Sequence, residues 1–138
     1  MQKQITVAII TRNRDKLLAK CLASLEKQTL KCSELLVVDN ASKDQTRNLV
    51  KEFKKTLPIH YLYESRIGIP FARNRALEEA KGEILAFLDD DCEATPNWIE
   101  EMIKAHKKYP HAAAVQGSLE TMNARSIFAI LTQRHYDL

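Results

Sequence analysis

Glycine is scarce in this chain. Its three glycines, Gly68, Gly82 and Gly117, belong to no GxGxxG and no GxxxxGK[ST] pattern. A Rossmann dinucleotide fingerprint and a P-loop are therefore excluded, and no Gly-rich turn is available to cradle a phosphate. Cysteine is scarce too. Cys21, Cys32 and Cys92 are odd in number and lack CxxC spacing. That argues against a disulfide framework or a thiolate zinc site, and for a reducing compartment. His60, His106, His111 and His135 form no HExxH pattern. No apolar run approaches the ~20 residues of a membrane span. The N-terminal run Ile5 to Ile10 is shorter than a secretory h-region. Net charge is only +3, with Lys and Arg scattered along the chain, so a nucleic-acid partner is not expected. The expected setting is cytoplasmic, with peripheral attachment to a membrane surface left open.

What is present is a folded-protein composition. The 138 residues are 45% hydrophobic and 28% charged, enough for a single domain over 1–138 with a core of its own. The chain is organised around Ile84-Leu85-Ala86-Phe87-Leu88-Asp89-Asp90-Asp91-Cys92. A short unbroken apolar run reads as a strand buried on both faces, as in parallel sheets. Side chains alternate along such a strand, so Asp89 and Asp91 are expected to share a direction and Asp90 to oppose them if the chain stays extended. Adjacent carboxylates repel one another unless water, a proton or a divalent cation relieves them. An acidic loop that merely follows a strand is the plainer reading.

Other strands are expected at Ile5 to Thr11, Glu34 to Asn40 and Ile59 to Tyr63. Between them lie helical stripes. Leu17, Leu18, Cys21, Leu22 and Leu25 form the first. Ser42-Lys43-Asp44-Gln45 has capping-box form, which predicts a helix starting there with Leu49, Val50 and Phe53 inward. Pro70 suits the first turn of a third helix, with Phe71, Ala76, Leu77 and Ala80 as its apolar side and Gly82 as its stop. Thr95-Pro96 reads as an N-cap and first position for a helix carrying Trp98, Ile99, Met102, Ile103 and His106. Ala112 to Gln116 suggests a fifth strand with a turn at Gly117, and Ser126 to Leu131 the start of another helix. Strictly alternating strands and helices predict an α/β fold: a mostly parallel sheet with helices on both faces.

In such sheets ligands bind beyond the carboxyl ends of the strands. Here those ends carry Thr11 to Arg14, Asp39-Asn40, Glu64 to Arg66 and Asp89 to Asp91. Without a Gly-rich turn, a pyrophosphate can be held by a carboxylate-bound Mg²⁺ or Mn²⁺, with Asp89 and Asp91 as the metal ligands. The metal would act as a Lewis acid on a leaving diphosphate. Asp39 could accept from a uracil imide or from ribose hydroxyls. Arg66 and Arg73 could meet phosphates. Solvated arginines are the ordinary alternative, with Arg73 paired to Glu78. Cys92 reads as a space-filler, because neighbouring negative charge disfavours a thiolate. Trp98 reads as core and the histidines as surface or satisfied core residues.

Four ordered blocks resemble the family 2 glycosyltransferases of the GT-A (Rossmann-like, nucleotide-diphospho-sugar transferase) fold. They are Val7 to Arg14, Leu36 to Asp44, Gly68 to Leu77, and Ala80 to Asp91, with Pro96 to Ile99 as a tail. The resemblance implies a nucleotide-sugar donor, UDP-linked, and an unknown glycan, lipid or protein acceptor, as in cell-wall or polysaccharide biosynthesis. It places Thr11, Asn13 and, in the same block, Arg14 along the nucleotide, and Asp39 at the base. Asp89 to Asp91 become the DxD motif, with Asp91 as direct metal ligand and Asp89 or Asp90 serving the ribose or a metal water. It also implies inversion at the anomeric carbon, with a carboxylate base from an acceptor-binding half.

The chain departs from the family pattern after its DxD. Beyond Glu101 its acids are Glu120 and Asp137, neither in a base motif, so the catalytic base is unassigned. The expectation is a truncated chain that binds donor without transferring, with exposed apolar surface favouring self-association. A receiver-like domain would also gather acids at strand ends. No Lys follows on a later strand end here, which weighs against it.

Overall fold

The computed structural model describes residues 4–120. Four parallel strands, β1 (Ile5–Thr11), β2 (Glu34–Asp39), β3 (Ile59–Tyr63) and β4 (Ile84–Phe87), form one sheet in the order β3-β2-β1-β4. Helices α1 (Asp15–Glu26), α2 (Thr46–Phe53) and α3 (Ile69–Glu79) make the crossovers, and α4 (Trp98–Lys108) follows β4. The first two crossovers step outward from β1 to β3. The third returns the chain to the other side of β1. The strand order therefore reverses between β1 and β4, where the loops diverge and leave a crevice at the carboxyl ends.

The strands form where the sequence is β-branched and apolar. β1 and β2 are central and nearly all buried. β4 is the edge of the described sheet and alternates: Ile84 and Ala86 are buried, whereas Phe87 is 38% exposed. The expectation of a strand buried on both faces fails there, because among the described residues only α3 lies on that side.

The two faces differ in thickness. On one, Leu18, Leu22 and Leu25 of α1, Val50 of α2, and Ile99 and Ile103 of α4 pack on Val7, Ile9, Leu35 and Val37. Full burial of a side chain such as Leu22 contributes about 1.5–3 kcal/mol. On the other face, Ala72 and Ala76 of α3 sit on Ala8, Leu36, Val38 and Leu62. Small side chains let this helix approach the sheet closely. Phe71 and Leu77, expected inward, are 40% and 59% exposed. Leu17 of α1 is likewise on the outside, at 40%.

Helix starts differ from expectation for local reasons. The Ser42–Gln45 capping box does not form. Instead Asp44 Oδ1 accepts from Thr46 N (3.0 Å) and Thr46 Oγ1 (2.6 Å), and α2 begins at Thr46. The Thr95 carbonyl accepts from Trp98 N at 3.0 Å, a single turn that delays α4 to Trp98. α3 ends at Glu79, before Gly82. Gly82 instead allows a close approach to β1, since a Cβ there would lie 2.6 Å from Thr6 N. Its own N–H donates to Thr6 Oγ1 at 2.9 Å. Residues 112–116 form no strand, and the helix expected at Ser126 lies outside the described residues. No helix among the described residues is long and apolar enough to cross a membrane.

Candidate functional site

The register aligns the strand ends. Thr11 pairs with Asp39, and Asp39 with Tyr63. Leu88 N donates to the Ala8 carbonyl, which carries the β4 ladder up to the acids. Asp89, Asp90 and Asp91 therefore stand beside the end of β1. A cavity of about 490 Å³ opens between them, lined by Thr11, Arg12 and Arg14 on one side and the three aspartates on the other. Asn40, Gly68, Ile69 and Arg73 complete its wall.

Thr11 is 1% exposed and its Oγ1 has no hydrogen-bond partner among the described residues. A buried hydroxyl left unpaired costs roughly 1–3 kcal/mol, and this oxygen is itself covered although the residue borders the cavity. Asn13 follows with φ 54°, a left-handed conformation that asparagine tolerates. It latches two loops. Its N–H donates to Ser42 Oγ (2.9 Å) and its Oδ1 accepts from Lys43 N (2.7 Å). Asp15 N donates to Asp44 Oδ2 at 3.0 Å, closing the latch. Burial alone would raise the Asp44 carboxyl, but bonds from Thr46 and Asp15 outweigh it and hold the group below its usual range.

Asp39 is buried behind the cavity wall. Its Oδ1 accepts from Ser42 N (2.8 Å) and its Oδ2 from the Tyr61 hydroxyl (2.7 Å). Burial, then the bond and charge of Asp39, push the Tyr61 phenol up, so it stays a donor. Asn40 joins the third loop. Its Nδ2 donates to the carbonyls of Glu64 (3.2 Å) and Arg66 (2.7 Å), and its Oδ1 accepts from Gly68 N (2.8 Å). Gly68 has φ 146°, open to glycine, where the chain turns into α3.

The expected arginines separate. Arg66 does not line the cavity; its Nε and Nη2 donate to the two Glu64 oxygens at 2.9 Å each, and it lies over the Phe71 ring at 5.0 Å. The Arg66 bonds hold the Glu64 carboxyl down to about 2. Arg73 does line the cavity and sits over the Phe87 ring at 5.7 Å. The ion pair on that helix is Arg75–Glu79 at 3.1 Å.

In the acid triplet, extended geometry ends before the aspartates. Cys92 N donates to the Asp89 carbonyl at 3.0 Å in a turn. Asp89 and Asp91 nonetheless come together: carboxylate oxygens of both lie within 4.8 Å of each other and of Cys92 Sγ. Asp90 is buried but is not turned away from its neighbour. Arg14 Nη1 donates to Asp90 Oδ1 at 3.1 Å and to Asp91 Oδ2 at 3.3 Å. Burial, then the charges of Asp91 and Asp89, raise the Cys92 thiol, so it remains protonated as expected. Trp98 packs against the core. Two exposed oxygens of this kind suit a hard divalent cation, with the open cavity side left for phosphate oxygens.

In the sequence reading Arg12 and Asn40 stand only within the polar strand ends, and Gly68 and Ile69 only within a family block, with no individual role in the site. Asn40 carries a signal, since it directly follows the acid that ends β2. Arg12 carries none beyond its neighbours.

The family model described as Glycosyl transferase family 2 matches residues 6–128. Validoxylamine A glucosyltransferase of Streptomyces hygroscopicus subsp. limoneus is 34% identical over 117 residues, which cover 82% of this chain and 26% of that protein. The crystal structure of Staphylococcus aureus TarS 1-349 in complex with UDP superposes with a TM-score of 0.72 at 25% identity, covering 83% of this chain and 38% of that one. Mannosyltransferase PcManGT of Pyrobaculum calidifontis, in complex with GDP-Man and Mn²⁺, gives 0.66 at 28% identity over 83% of this chain and 34% of that one. The chain thus spans about a quarter to two-fifths of the length of these three proteins. The parallel sheet, the crevice at its reversal point and the family match agree: this chain belongs to glycosyl transferase family 2 and has the GT-A fold.

Proposed function

We propose that the chain is the donor-binding part of an inverting glycosyltransferase that takes a nucleotide-diphosphate sugar, UDP-linked, at the crevice between β1 and β4. The observation that carries this is the pairing of exposed Asp89 and Asp91 on one cavity that Thr11, Arg14 and Arg73 also line. Thr11, Asn13 and Asp39 form the nucleoside end. Arg14 and Arg73 face the diphosphate, and Asp90 holds Arg14 in place. Arg66, tied to Glu64, acts at the rim by shaping the loop before α3. Asp89 and Asp91 would hold Mn²⁺ or Mg²⁺, which supplies Lewis-acid stabilisation of a leaving diphosphate.

The acids do not serve as the base in this reading, because their oxygens are committed to the cation and to Arg14. A separate carboxylate must take the proton of the acceptor hydroxyl for displacement with inversion. Titration calorimetry of UDP with and without Mn²⁺ tests the reading. Binding is expected to need the metal and to be lost in Asp91→Ala. Equal binding with metal removed and Asp91 replaced would overturn it. UDP release from a UDP-sugar with candidate acceptors then separates transfer from donor binding alone.

A further inference from the structure

Arg14 is placed oddly for a simple phosphate ligand. Its backbone starts α1, with the Arg14 carbonyl accepting from Leu18 N at 2.9 Å. Its side chain is 51% exposed and, among the described residues, bonds only to the acid triplet. The two ion pairs are unequal. Asp90 is 7% exposed in its side chain and holds Arg14 at 3.1 Å; Asp91 is 50% exposed and lies at 3.3 Å. One pair is an anchor and the other an exposed contact on a proposed metal ligand.

We infer that Arg14 is an internal counter-ion for Asp91, displaced when a divalent cation takes that oxygen and then free to pair with the donor's diphosphate. This rests on the metal reading above. A guanidinium and a divalent cation cannot share one carboxylate oxygen without strong repulsion. The anchor on Asp90 keeps the displaced guanidinium in the cavity wall, on the side where phosphate oxygens would lie. The metal thus frees a cation for the diphosphate, and the diphosphate draws that cation off the metal's ligand. Metal and nucleotide favour each other through one side chain, and such coupling is reciprocal.

The test uses the full chain and two readouts other than transfer. Free Mn²⁺ is followed by electron paramagnetic resonance without nucleotide, and UDP affinity by calorimetry at saturating Mn²⁺. An exposed ion pair is a weak competitor, so Arg14→Met is expected to tighten Mn²⁺ about two- to fivefold and to weaken UDP. Arg14→Lys keeps the charge and is expected to bind Mn²⁺ as the parent does. Unchanged or weaker Mn²⁺ binding in Arg14→Met overturns the inference. So does a Lys variant that tightens Mn²⁺ as Met does. Mn²⁺ binding that survives Asp91→Ala instead removes the underlying metal reading, so the two failures are distinguishable.

Discussion

At the end of β2, Asp39 is 2% exposed and both its oxygens accept from fixed donors, Ser42 N and the Tyr61 hydroxyl. At the end of β4, Asp89 and Asp91 are exposed. Among the described residues, Arg14 is the only side-chain donor to either of them besides the weak Cys92 thiol. Both corners are acidic and both stand at the carboxyl edge of the sheet, but the acids after β4 line the cavity whereas Asp39 lies behind its wall. They differ in what holds the charge. A carboxylate ringed by its own chain's donors organises loops. One left to solvent and a single movable cation keeps its binding capacity for something else. The first weighs chiefly on stability, beside its proposed place at the nucleoside end, and the second on metal affinity.

The largest effect should come from Asp39→Ala. It strands the Ser42 N–H and the Tyr61 hydroxyl and should cost about 2–4 kcal/mol, read by denaturant unfolding. A loss below about 1 kcal/mol would erase the contrast between the corners. Asp91→Ala should do the reverse: unfolding stability within about 0.5 kcal/mol of the parent, with Mn²⁺ affinity reduced about tenfold or more, at about 1.4 kcal/mol per decade. Tyr61→Phe sharpens the picture by removing one donor from Asp39 while keeping the ring. A loss of about 1 kcal/mol is expected, with nucleotide-free Mn²⁺ binding untouched. The smallest effect concerns Glu64, a third acid on the edge. Its folded pKa lies at about 2, below its ordinary 4.5. A depressed carboxyl contributes stability above pH 4.5 that fades as pH falls towards 2. Glu64→Gln should flatten the acid-unfolding profile in that window by lowering stability at neutral pH, with parent and variant converging as pH falls towards 2.

How much of the molecule is legible in its sequence depends on which physical signal dominates locally. β1 and β3 match expectation to the residue, and β2 ends one residue early, because runs such as Ile5 to Thr11 have no competing conformation. Helix starts shift where two short polar groups compete. Ser42 has the sequence context of a cap, yet Asp44 sits two residues before Thr46 and takes its N–H. The inner face of α3 differs because hydrophobicity favours Phe71 and Leu77, while the close approach of the helix to the sheet admits only Ala72 and Ala76. In the site, the convergence of strand ends is readable from topology alone. The diversion of Arg66 to Glu64 and the sharing of Arg14 between Asp90 and Asp91 are not, since both depend on which neighbouring loop curls back within hydrogen-bonding reach.

The latch between the β1–α1 and β2–α2 loops has one more consequence. Asn13 and Ala41 both adopt left-handed backbone, with φ of 54° and 59°, and three hydrogen bonds stitch the loops together. Neither turn can then be lengthened or swapped alone without unfastening its neighbour. Anyone grafting a new rim onto this scaffold would have to transplant the two turns as a single cassette.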